Sequence, residues 1–275
     1  MYETHYHKPS SLADAAKLFA GASEGRYLAG GQTLIPTMKQ RLASPSDLID
    51  VTRIADLKGI SAAGDTLTIG AATTHSEVNT SAAVKKAIPA LAYLAGLIGD
   101  PAVRHKGTIG GSVANNDPAA DYPAAVLALG ATIHTNKRAI AADNYFKGLF
   151  STALEDGELI TKLSFPVPAK AGYAKFPNPA SRYAMTGVFV AKMKDGKVRV
   201  GVTGAGNKGV FRSADMEKAL AAAWNADALA KITVDAGGML SDLHGSAAYR
   251  ANLVKVMAKR AVMSSDGVVE STDVR

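Results

Sequence analysis

Two segments, Leu28-Ala29-Gly30-Gly31-Gln32-Thr33-Leu34 and Gly107-Thr108-Ile109-Gly110-Gly111-Ser112-Val113, decide the reading of this chain. Each sets paired glycines beside a hydroxyl residue, and the first runs straight out of an extended apolar piece, Tyr27-Leu28-Ala29. Glycine reaches positive φ and has no Cβ, so consecutive backbone N–H groups can turn toward one anion and let it come close. A diphosphate fits such a nest, with the threonine and serine hydroxyls as added donors and any following helix adding its N-terminal dipole. On this reading a β-branched side chain at Gly110 would empty the site and leave the fold intact. Taken singly, each pattern also suits a tight turn at a strand end.

Outward from the first loop, Ser11-Leu12-Ala13-Asp14 has the form of a capping box, and Leu12, Ala15, Ala16 and Phe19 recur at helical spacing. With a strand at Leu48-Ile49-Asp50-Val51, this makes a β-α-β-like opening unit. Ile60 to Gly70 reads as a hairpin, Thr74-His75-Ser76-Glu77 as another capping box, and Ile88 to Leu97 as a buried helix broken at Gly99-Asp100-Pro101. Beyond the second loop, Pro123 to Leu129 is a second apolar helical or packed segment, followed by strands at Ala131 to Thr135 and Leu159 to Phe165. Pro166, Pro168, Pro177 and Pro179 then punctuate the chain, which places a linker near 166–172. Met185 to Met193 and Val198 to Val202 flank the turn Asp195-Gly196, and helices are expected at Ala214 to Trp224 and Tyr249 to Met263. The last dozen residues read as a loose tail. The division expected is a domain over 1–167, with subdomains of about 1–57 and 58–167, and a smaller α+β unit over 168–275.

Composition narrows the chemistry. The 275 residues contain no cysteine, which excludes disulfides, thiolate-held zinc, iron–sulfur clusters and a catalytic thiol within this chain. Lysine and arginine number 31 against 24 acidic residues, a net +7, yet the basic residues are scattered and no aromatic platform alternates with them, so nucleic-acid binding is not expected. Nothing approaches the ~20 continuous apolar residues of a membrane span. Met1 to Lys8 has no signal-peptide character, and a soluble cytoplasmic protein is expected.

Three other patterns compete for attention. Gly204-Ala205-Gly206-Asn207-Lys208-Gly209 fits the dinucleotide pattern, but Val210-Phe211-Arg212 stands where the helix should begin, so a glycine-rich turn is the better reading. The histidines, His5, His7, His75, His105, His134 and His244, lack metal-ligand spacing, and His134 in its apolar run is read as structural. Met185, Met193, Met257 and Met263 fall at core-like positions.

The longer stretches Ala29 to Pro36 and Thr108 to Asp121 resemble the FAD-binding medium subunit of the molybdenum hydroxylases, the carbon monoxide dehydrogenase and xanthine dehydrogenase family. The likeness extends through Asp50-Val51-Thr52, Ile69 to Thr74, Gly99 to Arg104 and Lys175 to Tyr183. It implies an α+β fold: a two-subdomain FAD-binding domain of the vanillyl-alcohol-oxidase type, then an antiparallel sheet with helices. It further implies noncovalent FAD wrapped at the diphosphate and ribityl chain by Ala29, Gly30, Gly31, Gln32, Thr33 and Leu34, with Gln32 acting through its backbone, and by Thr108, Ile109, Gly110, Gly111 and Ser112. Asn115 and Asp121 would bond the polar tail, Ile160 and Tyr183 would sit near the isoalloxazine, and Lys175 would be the basic residue beside the flavin. No catalytic acid or base is then needed here. Molybdopterin would lie in a large partner subunit and 2Fe–2S clusters in a small one, in a dimer of heterotrimers. The chain would pass electrons from those clusters through FAD to an external acceptor. The alternative is a self-sufficient FAD-dependent oxidase of the same fold, against which stands the short C-terminal unit.

Overall fold

The structure, a computed structural model, describes residues 1–265. Three sheets follow one another along the chain. The first holds β1 (His5–His7), β2 (Gly25–Leu28) and β3 (Asp47–Asp50) in the order β1-β3-β2, with both pairings parallel. Parallel neighbours need crossovers, which helices α1 (Leu12–Gly21) and α2 (Leu34–Lys39) provide. Ser11 caps α1 by accepting from the Asp14 N–H, as its sequence foretold, and Ala15, Ile49, Val51, Ile54 and Leu57 close a small core.

The second sheet is antiparallel, in the order β4-β5-β10-β6-β7. Its first hairpin joins β4 (Ile60–Ala63) to β5 (Thr66–Gly70), and six short helices follow: α3 (His75–Thr80), α4 (Ala82–Ala87), α5 (Pro89–Gly96), α6 (Pro101–Arg104), α7 (Ile109–Asn115) and α8 (Tyr122–Ala128). After them come β6 (Thr132–Thr135), β7 (Ala139–Ala141), α9 (Ala142–Tyr145), a small hairpin of β8 (Phe146–Gly148) and β9 (Ser151–Thr152), and β10 (Ile160–Pro166). β10 enters between β5 and β6, so the chain returns to the centre of the sheet it opened. The capping box at Thr74 and Glu77 is complete in both directions, and His134 bonds Ser164 at 3.0 Å as a structural residue.

The third sheet, also antiparallel, is β11 (Lys170–Pro177), β12 (Ala184–Lys192), β13 (Val198–Thr203) and β14 (Phe211–Arg212) in chain order, with α10 (Ala214–Ala222) and α11 (Ala247–Ser265) behind it. β12 is buried along nearly its whole length because both its faces are covered. Val188 and Val190 pack with Met257, Ala258 and Val262 of α11, while Phe189 and Ala191 join the core of the second sheet with Leu91 and Ala125. That two-sided burial explains the unbroken apolar run in its sequence. The whole is an α+β fold.

Several expectations change. The proposed linker shrinks to three residues between β10 and β11, since Lys170, Ala171 and Gly172 already pair with β12. The turn Gly204–Gly209 is as expected: it leads into β14 and only afterwards into α10, so no helix starts on its last glycine. Met263 stands 38% exposed, off the core face of α11. Of the loose tail, Ser264 and Ser265 close α11, and the remainder lies outside the described residues.

The third sheet meets the second unit where β13 crosses α8. A Cβ at Gly201 would strike the Ala124 carbonyl oxygen, and the two backbones touch because Gly201 has none. Gly201→Ala is expected to destabilise the chain by about 1–3 kcal/mol through overpacking, read as a lower urea midpoint. An unchanged midpoint would show that the contact yields freely.

Candidate functional site

β2 carries the chain to the first diglycine, and the loop then closes on the second unit. Gly30 is the point of contact: a Cβ there would collide with the Lys106 carbonyl oxygen and lie 2.6 Å from Gly107 Cα. Gly31 next takes φ +70°, and its carbonyl accepts from Ile35 N as α2 begins. Between these anchors the N–H groups of Gly30, Gly31, Gln32 and Thr33 have no acceptor among the described residues. They are the open donors of the site.

The second diglycine is built differently. Gly110 and Gly111 lie inside the first turn of α7, not in a left-handed loop. Ile109 N donates to Thr73 O, Gly110 N to Ala71 O, Gly111 N to the Thr108 hydroxyl and Ser112 N to Thr108 O. Its backbone donors are therefore spent within the protein. A Cβ at Gly110 would lie 2.5 Å from Ala71 Cβ, so this glycine serves the packing of α7 on the strand region and a valine there would damage the fold rather than only the site. Gly111 faces the other way, toward Ala29.

Together the two segments line a cleft of about 720 Å³. Of the residues expected at the site, Ala29, Gly30, Gly31, Gln32, Thr33, Leu34, Thr108, Gly111, Ser112, Asn115, Asp121 and Tyr183 are on its wall. Ile109, Gly110, Ile160 and Lys175 are not. Ile160 sits in β10, 3% exposed within the core of the second sheet. Lys175 lies behind Asp121: its Nζ is 2.9 Å from Asp121 Oδ1 and donates to Leu97 O at 3.0 Å, with side chains only 3% and 4% exposed. The Tyr173 hydroxyl donates to the same carboxylate at 2.6 Å. Burial pushes the Asp121 carboxyl up, and the Lys175 ammonium and the tyrosine hydrogen bond oppose it.

Two loops at the rim hold aromatic side chains. Asn178 accepts from Ala180 N and Ser181 N through its side chain, and with Arg182 at φ +61° this turn presents Tyr183, 47% exposed. Asn116 caps α7 in the left-handed conformation and donates through Nδ2 to Gly148 O and Ser151 O, which fixes the β8–β9 tip carrying Phe150, itself at φ +54°. Sequence reading missed Phe150, Arg26 and His75 as cleft residues. For Phe150 the available signal was an apolar pair, Leu149-Phe150, directly after Lys147-Gly148 and before Ser151-Thr152; His75 was marked by the capping box that placed it on the first turn of α3. Nothing in the sequence set Arg26 apart.

Two lobes sharing a glycine-lined cleft of this size leave room for a dinucleotide-sized ligand. The comparisons name the ligand's class. Residues 2–168 match the family described as FAD binding domain in molybdopterin dehydrogenase. The carbon monoxide dehydrogenase medium chain of Afipia carboxidovorans is 38% identical over 272 residues, 94% of either chain. The nicotine 6-hydroxylase medium subunit of Paenarthrobacter nicotinovorans is 33% identical, over 94% of this chain and 96% of that one. Among solved structures, a Cu,Mo-CO dehydrogenase in its cyanide-inactivated form superposes with a TM-score of 0.86 at 36% identity, covering 97% of this chain and 98% of that one. Quinoline 2-oxidoreductase from Pseudomonas putida 86 gives 0.84 at 27% identity, over 98% and 99%. This chain belongs to the FAD-binding family of the molybdopterin dehydrogenases.

His75 makes the site's burial measurable. Burial, with the nearby Arg104 charge, lowers its imidazole from 6.5 to about 4. Between those values the unfolded chain binds a proton that the folded chain does not, so stability is complete above the window and lost as pH falls through it, by about 3 kcal/mol in all. Urea midpoints from pH 7 to pH 4 should therefore fall more steeply for wild type than for His75→Gln. Parallel profiles would mean that the imidazole titrates normally.

Proposed function

We propose that this chain is the flavin-carrying electron-transfer subunit of a molybdopterin-dependent dehydrogenase. It would hold FAD noncovalently in the cleft, accept electrons from iron–sulfur clusters of a small partner subunit, and deliver them to an external acceptor. Hydroxylation or oxidation of the substrate would occur on a large molybdopterin subunit, in a cytoplasmic dimer of heterotrimers. The observation that carries the reading is the run of unpaired N–H groups at Gly30, Gly31, Gln32 and Thr33, on residues that all line the cleft. The donor set fits a diphosphate: several neutral backbone donors in sequence, in a cleft whose wall also carries Arg26 and Arg182. Ser112 and Asn115, whose side chains bond nothing else among the described residues, extend the same wall.

When bound, the flavin supplies the redox chemistry, taking electrons singly or in pairs. The work of this chain is to bind, orient and shield. Gly31 and Thr33 start α2 beside the diphosphate position, and Gly111 leaves room opposite Ala29. Asp121 offers a carboxylate held in place by Lys175 and Tyr173, suited to accept from a ligand hydroxyl or imide N–H. Tyr183 and Phe150 flank the mouth and give flat apolar surface for an aromatic ring. With no cysteine to hold a cluster, any iron–sulfur cluster that feeds the flavin must come from a partner.

The purified full chain, or the complex containing it, is expected to show flavin absorbance and to release FAD on denaturation. A colourless protein that takes up no added FAD would overturn the proposal. Gly111→Val, whose Cβ would press on the Thr108 hydroxyl and branch into the cleft, should bind FAD at least tenfold more weakly without a loss of helical circular dichroism. Wild-type affinity in that variant would remove Gly111 from the site.

A further inference from the structure

His75 lines the cleft beside the open N–H groups, and its ring has no role in the nest they form. It sits at the start of α3, 5% exposed, with its backbone N–H donating to Gly107 O at 2.9 Å. Neither ring nitrogen bonds any described protein group. Nδ1 is sealed from solvent without a partner, and the Tyr122 hydroxyl, on a ring 5.4 Å away, is likewise sealed and unpartnered. Buried polar atoms are almost always satisfied, so an imidazole left in this state costs stability unless something else uses it. A well-packed leucine would serve the fold better.

The position of the ring says which nitrogen is free to act. Nε2 lies on the Gly107 side, where a Cβ on that glycine would come within 2.6 Å of it, and both His75 and Gly107 line the cleft. A proton on Nδ1 would bury an N–H with no acceptor, whereas a proton on Nε2 leaves only a lone pair inside and sets the N–H at the cleft wall. The ring stays uncharged at neutral pH, being held near 4 by burial and Arg104. It therefore offers a neutral, directional donor, close to the contact where Gly30 meets Lys106 and Gly107.

We infer that His75 is a ligand-contact residue, donating an Nε2–H hydrogen bond to an oxygen of the bound flavin dinucleotide, and that it is kept at the expense of apo-state stability. The inference rests on the flavin reading above. Oxygen acceptors of two kinds are within the ligand, the diphosphate and the ribityl hydroxyls. Both require the same neutral donor, and truncated ligands separate them.

The test is a fluorescence titration of the full chain, freed of flavin, with FAD, ADP and riboflavin, for wild type, His75→Leu and His75→Gln, alongside melting temperatures without ligand. Wild type is expected to bind FAD, His75→Leu at least tenfold more weakly, and His75→Gln in between because its amide keeps a donor. Flavin-free His75→Leu should melt at the wild-type temperature or above it. A loss shared by ADP assigns the acceptor to the diphosphate, and one shared by riboflavin to the ribityl chain; either supports the contact. Equal FAD affinity in wild type and His75→Leu would overturn it while leaving the flavin reading in place. A lowered melting temperature for flavin-free His75→Leu, with the same affinity loss in His75→Gln, would assign His75 to the fold and also overturn it. Failure of wild type to bind FAD at all would instead be a failure of the flavin reading.

Discussion

One contact between two backbones governs the rest: Gly30 lies against Lys106 and Gly107 so closely that no side chain fits between them. It joins the small parallel sheet to the helical side of the second unit, and the cleft is the space left beside the seam. On the far side of Gly107 the chain bonds back to His75, and Thr74 bridges Thr108. The loop geometry is thereby set from both flanks. Because the seam uses main chain only, the N–H groups that follow it at Gly31, Gln32 and Thr33 are held rigidly without being consumed. Preorganised donors of this kind bind an anion without the entropic cost of ordering a loop.

A second constraint joins the third sheet to this arrangement. Lys175 on β11 reaches Asp121 at the start of α8 and the carbonyl of Leu97 beyond α5, so a buried charge pair links three elements far apart in sequence. Taking two charges out of water is costly, and the pair is tolerable because Tyr173 and the Leu97 carbonyl complete its hydrogen bonds. Its effect is to fix the Asp121 carboxylate at the cleft wall. The two-sided packing of β12, with Phe189 toward one core and Val188 toward the other, sets the same relation between the units by burial alone.

Local determinants were legible in the sequence. Ser11 and Thr74 cap their helices because a side-chain oxygen three residues before a free N–H has one good partner, and Asp195-Gly196 turns a hairpin for equally local reasons. The glycine motifs announced a cleft. What they did not disclose was that the two are unlike, since whether a glycine pair is loop or first helical turn depends on where Thr108 caps α7 and on Ala71 accepting from Gly110. The family likeness set Lys175 beside the flavin, and its pairing with Asp121 was not legible because that partner stands 54 positions away, a distance no local pattern spans. Ile160 took the buried side of β10, where a bulge between Ile160 and Lys162 shifts the register. β11 was obscured by prolines that mark its far end and the linker before it rather than a break within it.

The first diglycine segment offers open donors to the ligand, while the second has already spent its own. Amide hydrogen exchange of the full chain with and without FAD separates the two segments residue by residue. Strong added protection is expected at Gly30, Gly31, Gln32 and Thr33 on FAD binding, with Ile109, Gly110, Gly111 and Ser112 protected in both states and changed far less. Unchanged exchange across residues 30–33, with new protection confined to residues 109–112, would contradict it.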